Sequence, residues 1–276
     1  MAKYSIKDLY KEINTIDGEF GVNMDQGYPS EYANELIRKY CPFRGNLKGL
    51  GTCYDYLEMA SSGVINLLKS LEKYGLEYDK LAEYAILFLS YKLKQNSDYS
   101  RRKLNEFYTK HIGDNHFKEK INNSNSITYK DIIDKKKELM NMNIKEVSKF
   151  NVLFSILCKF YTEIKNNKVD CTKYSEKAND FAKNFENLNE DSNINGNTSY
   201  SKLLSTLSND YDNFKSYYVE KCSHCSDLPT LPKVKTPPSK LIPALSTFSV
   251  IPVFLGIAYK TIFKKKIKKN NEENET

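Results

Sequence analysis

The stretch Leu81-Ala-Glu-Tyr-Ala-Ile-Leu-Phe-Leu-Ser-Tyr-Lys-Leu93 decides the fold class. Leu81, Tyr84, Ala85, Phe88 and Leu89 recur at the three- and four-residue intervals of an α-helix, and the apolar residues between them widen the stripe until most of the helix is core-like. Such a helix needs cover on nearly every side, so it belongs at the centre of a bundle. Stripes of the same period flank it. Upstream lie Ile6, Leu9, Tyr10 and Ile13; Tyr32, Leu36, Ile37 and Tyr40; and Val64, Leu67, Leu68 and Leu71, stopped by Gly75. Downstream lie Leu104, Phe107 and Tyr108; Ile132, Ile133 and Met140; and Phe150, Leu153, Phe154, Leu157, Tyr161 and Ile164. Two more follow: Tyr174, Ala178, Phe181, Phe185 and Leu188; then Tyr200, Leu203, Leu204, Leu207, Tyr211, Phe214 and Tyr218. Strand-type alternation is not convincing anywhere. The pattern predicts an all-α, multi-helix domain over residues 3–222, with polar loops at Asn122–Ser126 and Asn189–Ser199.

Composition agrees with a packed body. With 21 Tyr and 14 Phe the chain carries more buriable surface than a disordered protein, and 11 Gly with 8 Pro exclude collagen-like sequence. The net charge of +7 is not a nucleic-acid signature, because 38 Lys stand against only 4 Arg. Lys, Asn, Ile and Tyr make up 107 of the 276 residues, the bias an A/T-rich coding sequence imposes. Residues 260–276 hold six Lys and three Glu, so the tail contributes +3 and the rest only +4. No nucleic-acid partner is expected.

One segment breaks the helical-body pattern. Leu241–Tyr259 is nineteen residues without a charge, and extension to Phe263 gives roughly 34 Å of helix, enough for a hydrocarbon core of about 30 Å. Pro243 falls in the first turn and Pro252 kinks the middle. Lys260, Lys264, Lys265, Lys266, Lys268 and Lys269 follow it, against Lys233, Lys235 and Lys240 before it. Six lysines against three put the tail 264–276 in the cytosol and the body on the other side of a single-pass membrane helix, with membrane lipid as the partner of 241–263. Met1–Phe20 is charged and amphipathic and has no apolar signal-peptide core. Residues 223–240, with Pro229, Pro232, Pro237 and Pro238, read as an extended stalk, exposed to protease at its lysines.

The six cysteines, Cys41, Cys53, Cys158, Cys171, Cys222 and Cys225, all precede the apolar segment. Up to three disulfides in an oxidising space are expected; of about fifteen pairings, sequence proximity favours Cys41–Cys53 and Cys158–Cys171. Cys222-Ser-His-Cys225 lacks the βαβ context of a redox pair, the second ligand pair of a zinc finger and the histidine of a haem-attachment motif, so it reads as two half-cystines. His111 and His116 read as solvated loop histidines. The glycines at 45, 49 and 51 lack the Lys-Ser/Thr of a P-loop, and no nucleophile elbow, HExxH or GxGxxG motif occurs. The sequons at Asn122 and Asn197 fall in polar segments and carry no assigned role. The expectation is a non-enzyme without metal, cofactor or small-molecule substrate.

Several pieces occur together in a specific order: Glu83-Tyr-Ala-Ile-Leu-Phe-Leu-Ser-Tyr-Lys-Leu93, Leu104-Asn-Glu-Phe-Tyr108, Cys158-Lys-Phe-Tyr161, Cys171-Thr-Lys173, Leu204-Ser-Thr-Leu-Ser-Asn-Asp-Tyr-Asp-Asn-Phe214, Cys222-Ser-His-Cys225 and Phe254-Leu-Gly-Ile-Ala-Tyr-Lys260. Spanning nearly the whole chain, they resemble the Plasmodium interspersed repeat (PIR) proteins, especially rodent-malaria members. The resemblance implies a helical ectodomain, one carboxy-terminal membrane helix and a short basic tail. It also implies a clonally variant antigen on parasite or infected-erythrocyte membranes, linked to immune evasion, with a host-cell or host-serum protein as partner. An intracellular, membrane-associated structural or host-cell-remodelling protein is the alternative. Many members carry a cysteine near the amino terminus, whereas the first here is Cys41.

Overall fold

The computed structural model describes residues 5–43, 50–112, 115–121, 126–163, 170–222, 225 and 227–237. All belong to one compact unit that ends at Pro237. Helix α1 (Ile6–Asp17) leads into strands β1 (Phe20–Asp25) and β2 (Tyr28–Ala33), and a short α2 (Glu35–Arg38) follows. The long α3 (Tyr56–Glu72) and α4 (Tyr78–Gln95) come next, then α5 (Leu104–His111), a 3₁₀ turn at Asn115–Lys118, and the short α6 (Tyr129–Asp134), α7 (Lys137–Met140) and α8 (Ile144–Val147). After a second 3₁₀ turn at Ser148–Phe150 come α9 (Asn151–Glu163), α10 (Cys171–Glu190), α11 (Ser192–Asn195) and α12 (Thr198–Lys221).

The body is mostly helical, with α4 central as the opening stretch implies. It packs on α3, α6, α8 and α9, and Leu81 through Ser90 is buried without interruption. Helix α1 lies against α9 and α3, and α12 against α9 and α10. Aromatic rings fasten the second group. Phe160 stacks on Phe214 at 4.2 Å, Phe181 on Tyr211 at 4.6 Å, and Tyr10 on Tyr161 at 4.9 Å.

Residues 20–33 correct the purely helical expectation, since they form an antiparallel hairpin with Phe20 opposite Ala33 and Asp25 opposite Tyr28. The turn is Gln26-Gly27, with φ of 48° and 88°, the left-handed pair that a two-residue hairpin loop requires. Its alternation is faint because burial reaches only the first residues of β1 and fades toward the tip. Phe20 anchors it, entering between Tyr56 (5.7 Å) and Phe88 (6.3 Å). Gly63 on α3 makes the room: a Cβ there would stand 2.7 Å from the Phe20 ring.

Two buried polar centres sit within this packing. Lys92, 2% exposed, donates to Asp17 Oδ1 (2.8 Å), Asp17 O (3.0 Å) and Phe20 O (2.7 Å), closing the carbonyl end of α1 onto the start of β1. Asp210, 4% exposed, accepts from the Tyr10 and Tyr84 hydroxyls at 2.8 Å each, while Tyr161 donates to its main-chain oxygen at 2.8 Å. Asp210 thereby joins α1, α4, α9 and α12. Burial pushes its carboxyl up to about 6 against the pull of the two tyrosine hydrogen bonds.

The expected loop Asn189–Ser199 is largely helical instead. Asp191 caps α11 by accepting from Asn193 N, Asn197 caps α12 by accepting from Ser199 N and Tyr200 N, and Ile194 is fully buried. Polar composition there reflects capping. Among the described residues no helix is long and apolar enough to cross a membrane. The anticipated span 241–263 and its lysine flank, Lys260, Lys264, Lys265, Lys266, Lys268 and Lys269, lie outside the described residues, as does the Asn122 sequon.

Candidate functional site: a fastened exit and an exposed hairpin end

Residues 227–237 form neither helix nor strand, as a proline-rich segment should. They do not hang free, however. Leu228 is buried, Tyr211 donates to Pro229 O (3.0 Å), and Lys215 donates to Thr230 Oγ1 (3.0 Å). Asn189 holds the segment at two points: its Nδ2 donates to Lys233 O (2.9 Å) and its Oδ1 accepts from Lys235 N (2.7 Å). Asn189 is itself 1% exposed, so the clamp is built into the end of α10. Lys235 also pairs with Glu190. The expected stalk is therefore, over 227–237, a strap bound along α10 and α12, and this corrects its reading as short of tertiary contacts.

The cysteines reinforce the strap. Cys171, the first residue of α10, is bonded to Cys225, with Cα atoms 5.4 Å apart across a separation of 54 residues. Cys41 is bonded to Cys53 at a Cα distance of 5.0 Å. The Cys158–Cys171 pairing does not form, and Cys158 and Cys222 are buried free thiols rather than half-cystines. Cys158 faces the α1 side of α9, where its carbonyl accepts from Asn14 (3.0 Å), and burial pushes its thiol well up. Both facts make it an inert core residue. In the motif 222–225 only Cys225 is a half-cystine.

A cavity of about 560 Å³ borders the strap, lined by Ser201, Ser205, Ser208 and Asn209 of α12 with Pro232 and Val234. Its lining contains no histidine or cysteine, and Asp212 is its single carboxylate. Elsewhere, His116 Nδ1 lies 2.6 Å from Glu119 Oε1 and its ring meets Tyr40 edge-on at 5.1 Å. His111 stacks on Phe107 at 5.2 Å. Both are thus packed, contrary to their reading as solvated. Against burial, the bonds from Lys69 and His116 hold the Glu119 carboxyl below its usual range. No group of three metal-ligating side chains occurs among the described residues.

The hairpin end is different in kind. Met24 (71%) and Tyr28 (77%) stand exposed beside the turn. Thr52 N donates to Pro42 O (3.0 Å) next to the Cys41–Cys53 bond, and the flanking Phe43 (66%) and Tyr54 (71%) are exposed as well. Asn96 Nδ2 donates to Glu31 Oε1 (2.8 Å), tying β2 to the end of α4. Burial, with Asp55 and Asp98 near, raises the Glu31 carboxyl. Helical periodicity could not find these exposed residues, because they belong to a hairpin and, separately, to a disulfide loop. The signals present were the Gln-Gly turn pair and the Cys41–Cys53 spacing.

The class that the fold defines is a mostly helical body, closed by two disulfides among the described residues and fastened at its exit by the strap. Residues 10–260 match the family described as Plasmodium variant antigen protein Cir/Yir/Bir, and the chain belongs to that family. A solved structure titled "Structure of a Plasmodium PIR protein ectodomain" is similar at 31% identity and a TM-score of 0.60, covering 83% of this chain and 100% of that one. No curated protein matches.

Proposed function

We propose that this chain is a membrane-anchored variant antigen whose helical body is displayed on the non-cytosolic face of a parasite or infected-cell membrane, where it meets host proteins and serves immune evasion. The observation that carries the proposal is the disulfide pair Cys41–Cys53 and Cys171–Cys225, a bonding state that belongs to an oxidising compartment. The charge-free stretch 241–259, with lysines beyond it, supports anchoring with the body outside. The strap leads the chain from α12 toward that stretch. Function then lies in surface recognition and not in catalysis, since the exposed features are apolar and aromatic side chains. Antibodies to the body should label intact, unpermeabilised infected cells. Labelling only after permeabilisation would favour the intracellular remodelling alternative.

A further inference from the structure

We propose that the cleft between α12 and the strap binds a short extended peptide, about five residues long, with a basic side chain at one end and an acidic one at the other. The proposal goes beyond the antigen reading and does not depend on which membrane displays the body.

Ser201, Ser205, Ser208 and Asp212 recur at helical intervals along one face of α12, and all four line the cavity. Ser201 donates to Asn197 O (3.0 Å), but the Ser205 and Ser208 hydroxyls and the Asn209 side chain have no hydrogen-bond partner among the described residues. The opposite wall supplies main-chain groups. Asn189 holds the amide of Lys235, whereas those of Leu231, Lys233, Val234 and Thr236 donate to nothing among the described residues. Unpaired amides and hydroxyls bordering one cleft are the groups with which a protein holds another main chain.

Charge complementarity selects the occupant further. Lys202 and Asp212 form no ion pair among the described residues, and ten residues of helix put them about 15 Å apart along the cleft. The strap runs against α12, since Pro229 and Thr230 lie by Tyr211 and Lys215 while Lys233 is held by Asn189. Asn189 in turn accepts from Asn195 of α11, next to the start of α12. Lys233 therefore adds its charge toward the Lys202 end. An acidic side chain fits that end and a basic one fits Asp212. Five extended residues span about 16 Å, which matches the separation of the two charges. A volume of about 560 Å³ suits a ligand of that size, and no aromatic ring lines the cleft to stack a flat one.

The test immobilises the full-length chain in phosphatidylcholine nanodiscs and offers two capped pentapeptide mixtures, Glu-Xaa-Xaa-Xaa-Lys and Lys-Xaa-Xaa-Xaa-Glu, with Gln at both ends as the control. Bound peptides are sequenced by mass spectrometry and resynthesised with a fluorophore for anisotropy. One of the two orders should be retained above the control, and its affinity should fall about tenfold or more in K202E and in D212K. The charge swap K202D/D212K should select the opposite order. Lys202 and Asp212 are exposed, so melting temperatures of these variants should match the parent. Retention of neither order above the control would overturn the proposal. Equal affinity in the parent and both single variants would do the same, as would selection of an unchanged order by the swap. Self-association of the chain lost in K202E and D212K would assign the cleft to a second copy and overturn it too.

Discussion

A carboxylate held by two tyrosine hydroxyls inside a helical core is ionised only against the cost of leaving water. Asp210 is in that position, its pKa raised by burial from an ordinary 3.8 to about 6. Because the folded pKa is the higher one, its contribution to stability is fully present below about pH 3.8 and is lost as pH rises through about 6. Two units correspond to about 3 kcal/mol. The unfolding free energy of D210N relative to the parent should therefore rise by about 3 kcal/mol between about pH 4 and about pH 7. A pH-independent difference in denaturant titrations would refute the role given to Asp210. Lys92 has the opposite character, a cation whose three hydrogen bonds join the end of α1 to β1. Lys92→Met leaves two carbonyls and the Asp17 carboxylate without it and should cost about 3 kcal/mol, read from the same titrations. An effect under about 0.5 kcal/mol would show that the surroundings absorb the loss. Neither residue stands out in the sequence. Lys92 lies in the most apolar stretch as an apparent solvent-facing interruption, and only the meeting of α1, β1 and α4 makes it internal.

The long elements were legible because burial and period coincide in them: Leu81, Tyr84, Ala85, Phe88 and Leu89 are all buried on α4. The hairpin was not, because four of the six residues of β2 are exposed and its fixing contact is a single ring, Phe20, against α3 and α4. Gly63→Ala tests that contact. The added methyl meets Phe20 at 2.7 Å, so the hairpin must shift, and overpacking of this kind costs about 1–3 kcal/mol. The companion F20L/G63A should recover part of the loss; recovery of none would place the strain elsewhere. The strap was misread for a related reason. A proline-rich stretch reads as free chain, and the clamp that binds it is Asn189, at the start of a segment whose polar composition suggested a loop. Asn189→Ala removes both hydrogen bonds and should expose Lys233 and Lys235 to trypsin while leaving the far-UV spectrum unchanged. Unaltered digestion would mean that Leu228, Tyr211 and the Cys171–Cys225 bond hold the strap without it.

At the scale of the whole molecule, the disulfides, the strap and the apolar stretch beyond it bear on one claim, that the body is an outward-facing module fastened at its exit. The partner of Cys171 could not be read from spacing, because 54 residues of packed helix separate it from Cys225. The pairing exists because α10 and α12 lie together and return the chain to the start of α10. That arrangement makes the strap resistant and leaves Lys240, beyond Pro237, as the next site for trypsin. The most direct measurement is limited trypsin treatment of intact infected cells, followed by mass spectrometry of the released material without reduction. The expected product is a helical fragment cut after Lys240 and not after Lys233 or Lys235, carrying Cys171 linked to Cys225, Cys41 linked to Cys53, and unmodified thiols at Cys158 and Cys222. A fragment that appears only after permeabilisation, with all six cysteines alkylating freely, would contradict it.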